Sequence, residues 1–244
     1  AGWLGRAFLA NAAGRHELRA CDIGPEAWDA WKDIDGEWNA GEKVYGDITN
    51  SEAVAQALEG VDGVLHLGGQ AMEAEWGVIH GAKMVGGDKW VEAVRRKGSW
   101  RGVLEDLNND IGYYMSDVSI SVDHKVRPDS RYGVSKAFGE AVGSYYADNF
   151  GLGVMVIRIG NVDDYPVDER RLSIWISPRD LVQLVRIGLE HPDLHYEIVW
   201  GTSDSARSWW DNEPARRLGY RPLDRAEDHR DRALANEAKR TPSP

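Results

Sequence analysis

Tyr132-Gly-Val-Ser-Lys136 sets a phenol and an ammonium four residues apart. In a helix that spacing puts both side chains on one face. A phenol is a poor base at neutral pH, with a pKa of about 10. A neighbouring ammonium favours the phenolate and lowers that value. Such a pair can take a proton from a substrate hydroxyl while a hydride departs. Chance also generates this spacing, so the motif by itself is suggestive and not decisive.

The chain opens Ala1-Gly2-Trp3-Leu4-Gly5-Arg6 and continues into a helical pattern over residues 4–13. Glycines at a helix start suit a phosphate, because backbone N–H groups face the anion and the helix dipole favours it. Taken alone, G-x-x-G fits an ordinary helix start better. Asp22 follows a short apolar run and lies 22 − 5 = 17 residues after Gly5. A carboxylate there can accept from the hydroxyls of an adenosine ribose, and it repels a 2′-phosphate. A solvated turn acid is the competing reading. Asp47-Ile48 ends one apolar run, and His66-Leu67-Gly68-Gly69 ends the next. Glycines there let a backbone approach a ligand at a sheet's C-terminal edge. His66 reads more readily as a hydrogen-bonded core histidine.

Other chemistries find less support. His191-Pro-Asp-Leu-His195 mimics metal-ligand spacing, but Pro192 breaks the helix that would align the imidazoles. No metal is expected. No G-x-S-x-G occurs and Cys21 is the single cysteine, so neither a serine hydrolase nor a zinc protein is indicated.

The elements that must position these residues alternate. Residues 43–46, 61–67, 102–104, 154–159 and 196–200 read as short buried strands. Helices are expected over 51–58, capped by Asn50 or Ser51, and over 87–97, 130–149 and 178–190. Strands spaced by helices of this length imply βαβ units, a parallel sheet and the doubly wound α/β class. Residues 161–173 form a loop with Pro166 and four acids, a kind of insertion that covers substrate sites in this class.

The chain has 244 residues, 29 Lys plus Arg against 40 Asp plus Glu, and a net charge of −11. That balance argues against nucleic-acid and anionic-membrane partners. No apolar run approaches the roughly 18 residues of a membrane helix, and no signal peptide is seen. A cytoplasmic protein is expected, with self-association left open.

In this order the motifs resemble an extended short-chain dehydrogenase/reductase of the epimerase/dehydratase type, and within it the uronate dehydrogenases and related sugar dehydrogenases. The resemblance is carried by IGYY at 111–114, RPDSRYGVSKAFGE at 127–140, VIRIGN at 156–161 and RRLSIWIS-x-RD at 170–180. It continues in VWGTSDSARSWWDN at 199–212 and LGYRP at 218–222. It implies a doubly wound Rossmann-type parallel sheet with helices on both faces and a small C-terminal substrate region. The expected organisation is one NAD-binding domain over 1–220, with substrate-region insertions at about 161–177 and 199–220, and a charged, disordered tail over 221–244. The family's first strand and first glycine have no counterpart in the sequence.

The resemblance also implies oxidation of a sugar acid or related aldose at C1 to the lactone, with NAD as cofactor. Tyr132 becomes the base, and Lys136 binds the nicotinamide ribose. Gly2, Trp3, Leu4 and Gly5 border the pyrophosphate, Asp22 the adenosine ribose, and Asp47 and Ile48 the adenine. Leu67, Gly68, Gly69 and Ile159 complete the cofactor contacts. Asn108, Asn161 and Arg170 fall where the family meets substrate, and Arg170 could grip a carboxylate with a bidentate fork. A surface ion pair with Asp168 or Glu169 is the alternative for Arg170. Departures are clear: the family serine at 132 − 25 = 107 is Leu107, and polar positions appear as Ala71, Lys83 and Asn161. Leu107 cannot hydrogen-bond a reacting oxygen, and such a loss costs about 2.7–4 kcal/mol of transition-state stabilisation. A homologue that binds nucleotide or sugar without efficient turnover is therefore the second reading.

Overall fold

The computed structural model describes residues 2–29, 32, 36–67, 121–123, 126, 128 and 131–240. These belong to two compact units, Ala1–Gly69 and Gln70–Pro244. The expected strand 102–104 and helix 87–97 lie outside the described residues.

In the first unit, α1 (Trp3–Ala12) buries Arg6, Leu9 and Ala12, one side of its cylinder. β1 (Arg19–Asp22) runs parallel to β2 (Glu42–Tyr45), joined through the single turn α2 (Glu26–Asp29). Arg19 faces Glu42 across the ladder, with Nε 2.6 Å from its carboxylate. The same guanidinium donates to the carbonyls of Ala57 and Glu59, where the carbonyl dipoles at the end of α3 (Ser51–Leu58) favour a cation. Asn50 is the cap of α3, its side chain accepting from Glu52 and Ala53 N–H.

Residues 61–67 differ from expectation: they carry no strand. A strand is held by ladder partners, and no described backbone pairs with this segment. Val64 and Leu67 are exposed.

In the second unit, β3 (Val154–Ile159) pairs in parallel with β6 (Tyr196–Gly201). Successive side chains of β3 point to opposite faces. On the Val154 face lies α4 (Arg131–Phe150): a Cβ on Gly143 would sit 3.1 Å from Val154, and Tyr196 Oη donates to Glu140 O. On the Met155 face lies α5 (Pro178–Glu190), whose Gly188 leaves room for the Met155 methyl. α5 is written locally: Ser177 Oγ accepts from Asp180 N, Pro178 takes the first turn, and Leu181, Leu184 and Val185 turn inward. Gly151, at φ +68, closes α4 in the left-handed region. Between β3 and α5, β4 (Asn161–Val162) pairs in parallel with β5 (Trp175–Ile176).

The chain from 221 to 240 carries structure. After α6 (Glu213–Arg217), a 3-10 turn (Ala226–His229) leads into α7 (Arg230–Arg240). Ala226 and Ala233 are fully buried against Leu172 and Trp175. Two small side chains on a charged segment are enough to anchor it, because they let its backbone approach the core closely. Residues 241–244 lie outside the described residues.

Candidate active site

Parallel pairing brings Asp22 and Asp47 to one edge of the first unit, because Asp22 ends β1 and Asp47 follows the C-terminal end of β2. Asp22 accepts from the N–H of Ile23. Asp47 accepts from both the N–H and the hydroxyl of Thr49, each at 2.8 Å, and these bonds hold its carboxyl below the usual range. Ile48, beside it, is 54% exposed, a free apolar surface of the kind an aromatic base covers. Gly2 caps α1 without any side-chain bond to the first turn, and no acid lies in that turn. Space against Gly2 is open, and a Cβ on Gly5 would reach only Leu67, at 3.7 Å. The first-turn N–H groups are therefore available to an anion. Trp3 and Leu4 supply the backbone of that turn. His66 is exposed, which corrects the core reading: the segment that holds it packs no strand.

In the second unit, Tyr132 and Lys136 both belong to α4, so the helical spacing read from sequence is real at the backbone. Lys136 is exposed; the Tyr132 side chain is outside the described set. Gly68, Gly69, Ala71, Lys83, Leu107 and Asn108 also lie outside the described residues.

At the C-terminal end of β3, Ile159, Gly160 and Asn161 pass close to Ile174 and Trp210. Ile159 is 36% exposed. A Cβ on Gly160 would overlap Ile174 O and lie 2.7 and 2.9 Å from ring atoms of Trp210. Trp210 is held by its own stack on Trp200 (4.6 Å, 8°), whose ring carries the Arg158 guanidinium at 5.4 Å. Arg158 is fixed in turn by a bidentate pair with Glu140 of α4, at 2.8 and 2.9 Å. Among the described residues, no donor meets the buried Oδ1 of Asn161. That costs about 1–3 kcal/mol, and a hydroxyl brought by a ligand would relieve it.

Arg170 opens a 3-10 turn, Arg170–Ser173. Burial, and then the charge of Arg171, push its guanidinium down to about 10, against the opposing pull of Asp168. It remains a cation at neutral pH, held in a place that favours an anion. Of the two acids beside it, Asp168 pairs with Arg171 and acts on Arg170 as well, and Glu169 pairs with Arg207 at 3.4 Å. Sequence reasoning missed Arg207, whose partner is 38 residues away. His191 and His195 serve separate contacts: His191 Nδ1 accepts from Asp193 N, and His195 Nε2 lies 3.0 Å from Asp148.

The sequence profile of the NAD dependent epimerase/dehydratase family matches residues 1–210. The chain belongs to this family. NAD is the family's cofactor, and the glycine turn and Asp22 fit it. The chain is 38% identical over 231 residues to a uronate dehydrogenase of Pseudomonas putida, covering 94% of this chain and 84% of that protein. It is 30% identical over 240 residues to an NAD-dependent glucose-6-phosphate dehydrogenase of Haloferax volcanii, covering 91% and 90%. The crystal structure of uronate dehydrogenase from Agrobacterium tumefaciens superposes with a TM-score of 0.71 at 29% identity, covering 100% of this chain and 87% of that one. The fold is thus Rossmann-like, as the alternating elements implied, and the chain is a dehydrogenase-like member of its family.

Proposed function

We propose that this chain oxidises a hexuronate, or a closely related aldose, at C1 to the lactone. Arg170 carries the reading: a half-buried cation in the turn beyond β3. A sugar carboxylate meets that guanidinium with two parallel charge-assisted bonds. The uronate dehydrogenases of similar sequence agree with this choice of substrate class.

Bound NAD supplies the acceptor for the C1 hydride. Every other role falls to side chains and backbone of this chain. Tyr132 takes the C1 hydroxyl proton, and Lys136 favours the phenolate that does so. Asn108 and Asn161 orient the ring hydroxyls. Gly2, Trp3, Leu4 and Gly5 receive the pyrophosphate at the start of α1, Asp22 the adenosine ribose, and Asp47 with Ile48 the adenine. Leu67, Gly68, Gly69 and Ile159 line the remaining cofactor path. In this reading residues 1–220 are a single cofactor-binding domain, and the protein works in the cytoplasm, where NAD is available.

Leu107 favours a second reading, a homologue that binds without efficient turnover. One experiment separates them. The chain is mixed with NAD and D-galacturonate, D-glucuronate, D-galactose or an aldose 6-phosphate, and NADH absorbance is followed against a Tyr132→Phe control. Turnover on a uronate at least tenfold above the control supports the dehydrogenase. If none of the sugars exceeds the control, the dehydrogenase reading is wrong. A Leu107→Ser variant that then gains activity by orders of magnitude identifies lost catalysis as the cause.

A further inference from the structure

The turn that carries Arg170 is held by two distant parts of the chain. From the segment after β6, Ser205 Oγ donates to Leu172 O at 2.9 Å, and Arg207 meets the Glu169 carboxylate at 3.4 Å. The second hold comes from α7 and the residue before it. The His229 ring meets Trp175 edge-on, with centroids 5.1 Å apart. Ala233, four residues on, is fully buried with Leu172 and Trp175. Glu237, four further, accepts through Oε2 from the backbone N–H of Glu169 at 3.1 Å, across 68 residues of chain. Helical spacing stacks such side chains on one face, so this face of α7 runs along the Arg170 turn. The turn itself is short, Arg170–Ser173, with Glu169 as its N-cap. Its first N–H groups find no acceptor within it. Asp168 Oδ1 takes the N–H of Arg171 at 2.9 Å, and Glu237 takes that of Glu169. Glu169 is 6% exposed, so water is poorly placed to replace a lost acceptor.

We infer that Glu237 is a positioning residue: by accepting from the Glu169 N–H it fixes the backbone one peptide before Arg170, and so sets where the Arg170 guanidinium meets the substrate carboxylate. This rests on the hexuronate reading above. A guanidinium and a carboxylate form two parallel bonds only when their planes are aligned. A turn that shifts keeps the charge attraction and loses the second bond. A neutral sugar makes no such pair, so the loss falls on the anionic substrate. The bond from Glu169 needs an acceptor oxygen and not a charge, so an amide at position 237 preserves it.

The test compares Glu237→Met, Glu237→Ala and Glu237→Gln with the wild type, each checked for a cooperative thermal transition. KM and kcat are measured for D-galacturonate and for D-galactose with NAD. Calorimetry measures binding of galactarate, an acyclic dicarboxylate, which needs no turnover. Backbone hydrogen exchange is followed over residues 165–173, with residues 196–201 of β6 as the internal reference. Glu237→Met and Glu237→Ala are expected to raise KM for D-galacturonate and Kd for galactarate at least fivefold, with kcat and the D-galactose KM within threefold of wild type. Exchange over 165–173 is expected to quicken at least tenfold, with 196–201 unchanged. Glu237→Gln is expected to stay within threefold on every count. Equal losses on the anionic and neutral sugars, unchanged exchange over 165–173, or a Glu237→Gln variant as impaired as Glu237→Met would overturn the inference. Failure of both Glu237→Met and Glu237→Ala to fold would also overturn it and leave Glu237 a strut of the fold. Faster exchange with an unchanged D-galacturonate KM sinks the inference alone, and the hexuronate reading stands. A wild type with equal KM for the two sugars removes the hexuronate reading, and the inference with it, before any variant is made. Galactarate binding that weakens in Glu237→Met and holds in Glu237→Gln, in a chain that oxidises no sugar, sustains the role of Glu237 and removes the dehydrogenase reading. A wild type that binds neither sugar acid overturns both.

Discussion

Arg170 shows how a single residue acquires its chemistry from its surroundings. The RR-L-S text allowed two readings, a substrate grip or a surface pair with Asp168 or Glu169. The structure pairs Asp168 with the local Arg171 and Glu169 with Arg207, 38 residues away in sequence. Distant pairing cannot be read from spacing, whereas the i, i+4 relation of Tyr132 and Lys136 could be, because a helix fixes it within its own turns. The lowered value of Arg170, about 10 through burial and Arg171, makes a pH prediction with a definite sign. The cation is present below that value and lost above it, so grip on a carboxylate holds at neutral pH and weakens as pH rises through about 10. A bound carboxylate favours the cation and moves the loss upward in the complex. The ratio of KM for D-galacturonate to KM for D-galactose should therefore be flat to about pH 9, then climb toward tenfold per unit beyond about 10. Using the ratio cancels every pH effect that the two sugars share. A ratio near one below about pH 9, with the charged sugar bound no better than the neutral one, would remove Arg170 from the carboxylate.

At the scale of elements, helices with their own signals were the most legible. Asn50 caps α3 and Ser177-Pro178 opens α5, because caps and apolar spacing act within a few residues. Residues 154–159 and 196–200 find each other as strands, and 61–67 find no strand partner among the described residues. The anchors of the segment after 221 are Ala226 and Ala233, small residues with no strong apolar signature amid charge. Gly160 was likewise unremarkable in sequence, yet it lets β3 pass under Trp210 and beside Ile174 O. Gly160→Ala should destabilise the fold by about 1–3 kcal/mol, since the neighbours are a backbone carbonyl and a ring already stacked on Trp200, neither able to retreat cheaply. Urea unfolding would read this directly. The same substitution should raise KM for D-galacturonate at least tenfold by displacing Asn161. Unchanged stability would mean the Trp200–Trp210 stack yields, contrary to its role in positioning the end of β3.

At the scale of the whole molecule, the doubly wound class was legible from the alternation of short apolar runs and helices, and all three described strand pairings are parallel. What the alternation did not show is how the second unit is tied together. Asp180 of α5, fully buried, accepts from Ser203 Oγ (2.5 Å), Leu223 N (2.7 Å) and Asp224 N (3.2 Å). One carboxylate thus joins a helix, the segment after β6 and the approach to α7. Asp224 extends the tie by accepting from Ser177 Oγ and Arg179. Asp180→Asn replaces one acceptor oxygen by a donor that faces an N–H or a hydroxyl, so it should cost about 1–3 kcal/mol. The pH dependence follows from the direction of the Asp180 shift. Burial raises its pKa, outweighing the hydrogen bonds that lower it, and the Asp224 charge raises it further. A raised value means that the folded state holds the proton more tightly than the unfolded one. That contribution is complete below the unfolded value of about 3.9 and is lost as pH rises through the folded value. The stability gap between wild type and Asp180→Asn, measured by chemical denaturation, should therefore be largest near pH 4 and narrow toward pH 7. A gap that widens over the same range would mean that the three hydrogen bonds outweigh burial and that the ionised carboxylate is the favoured form at the centre of this unit.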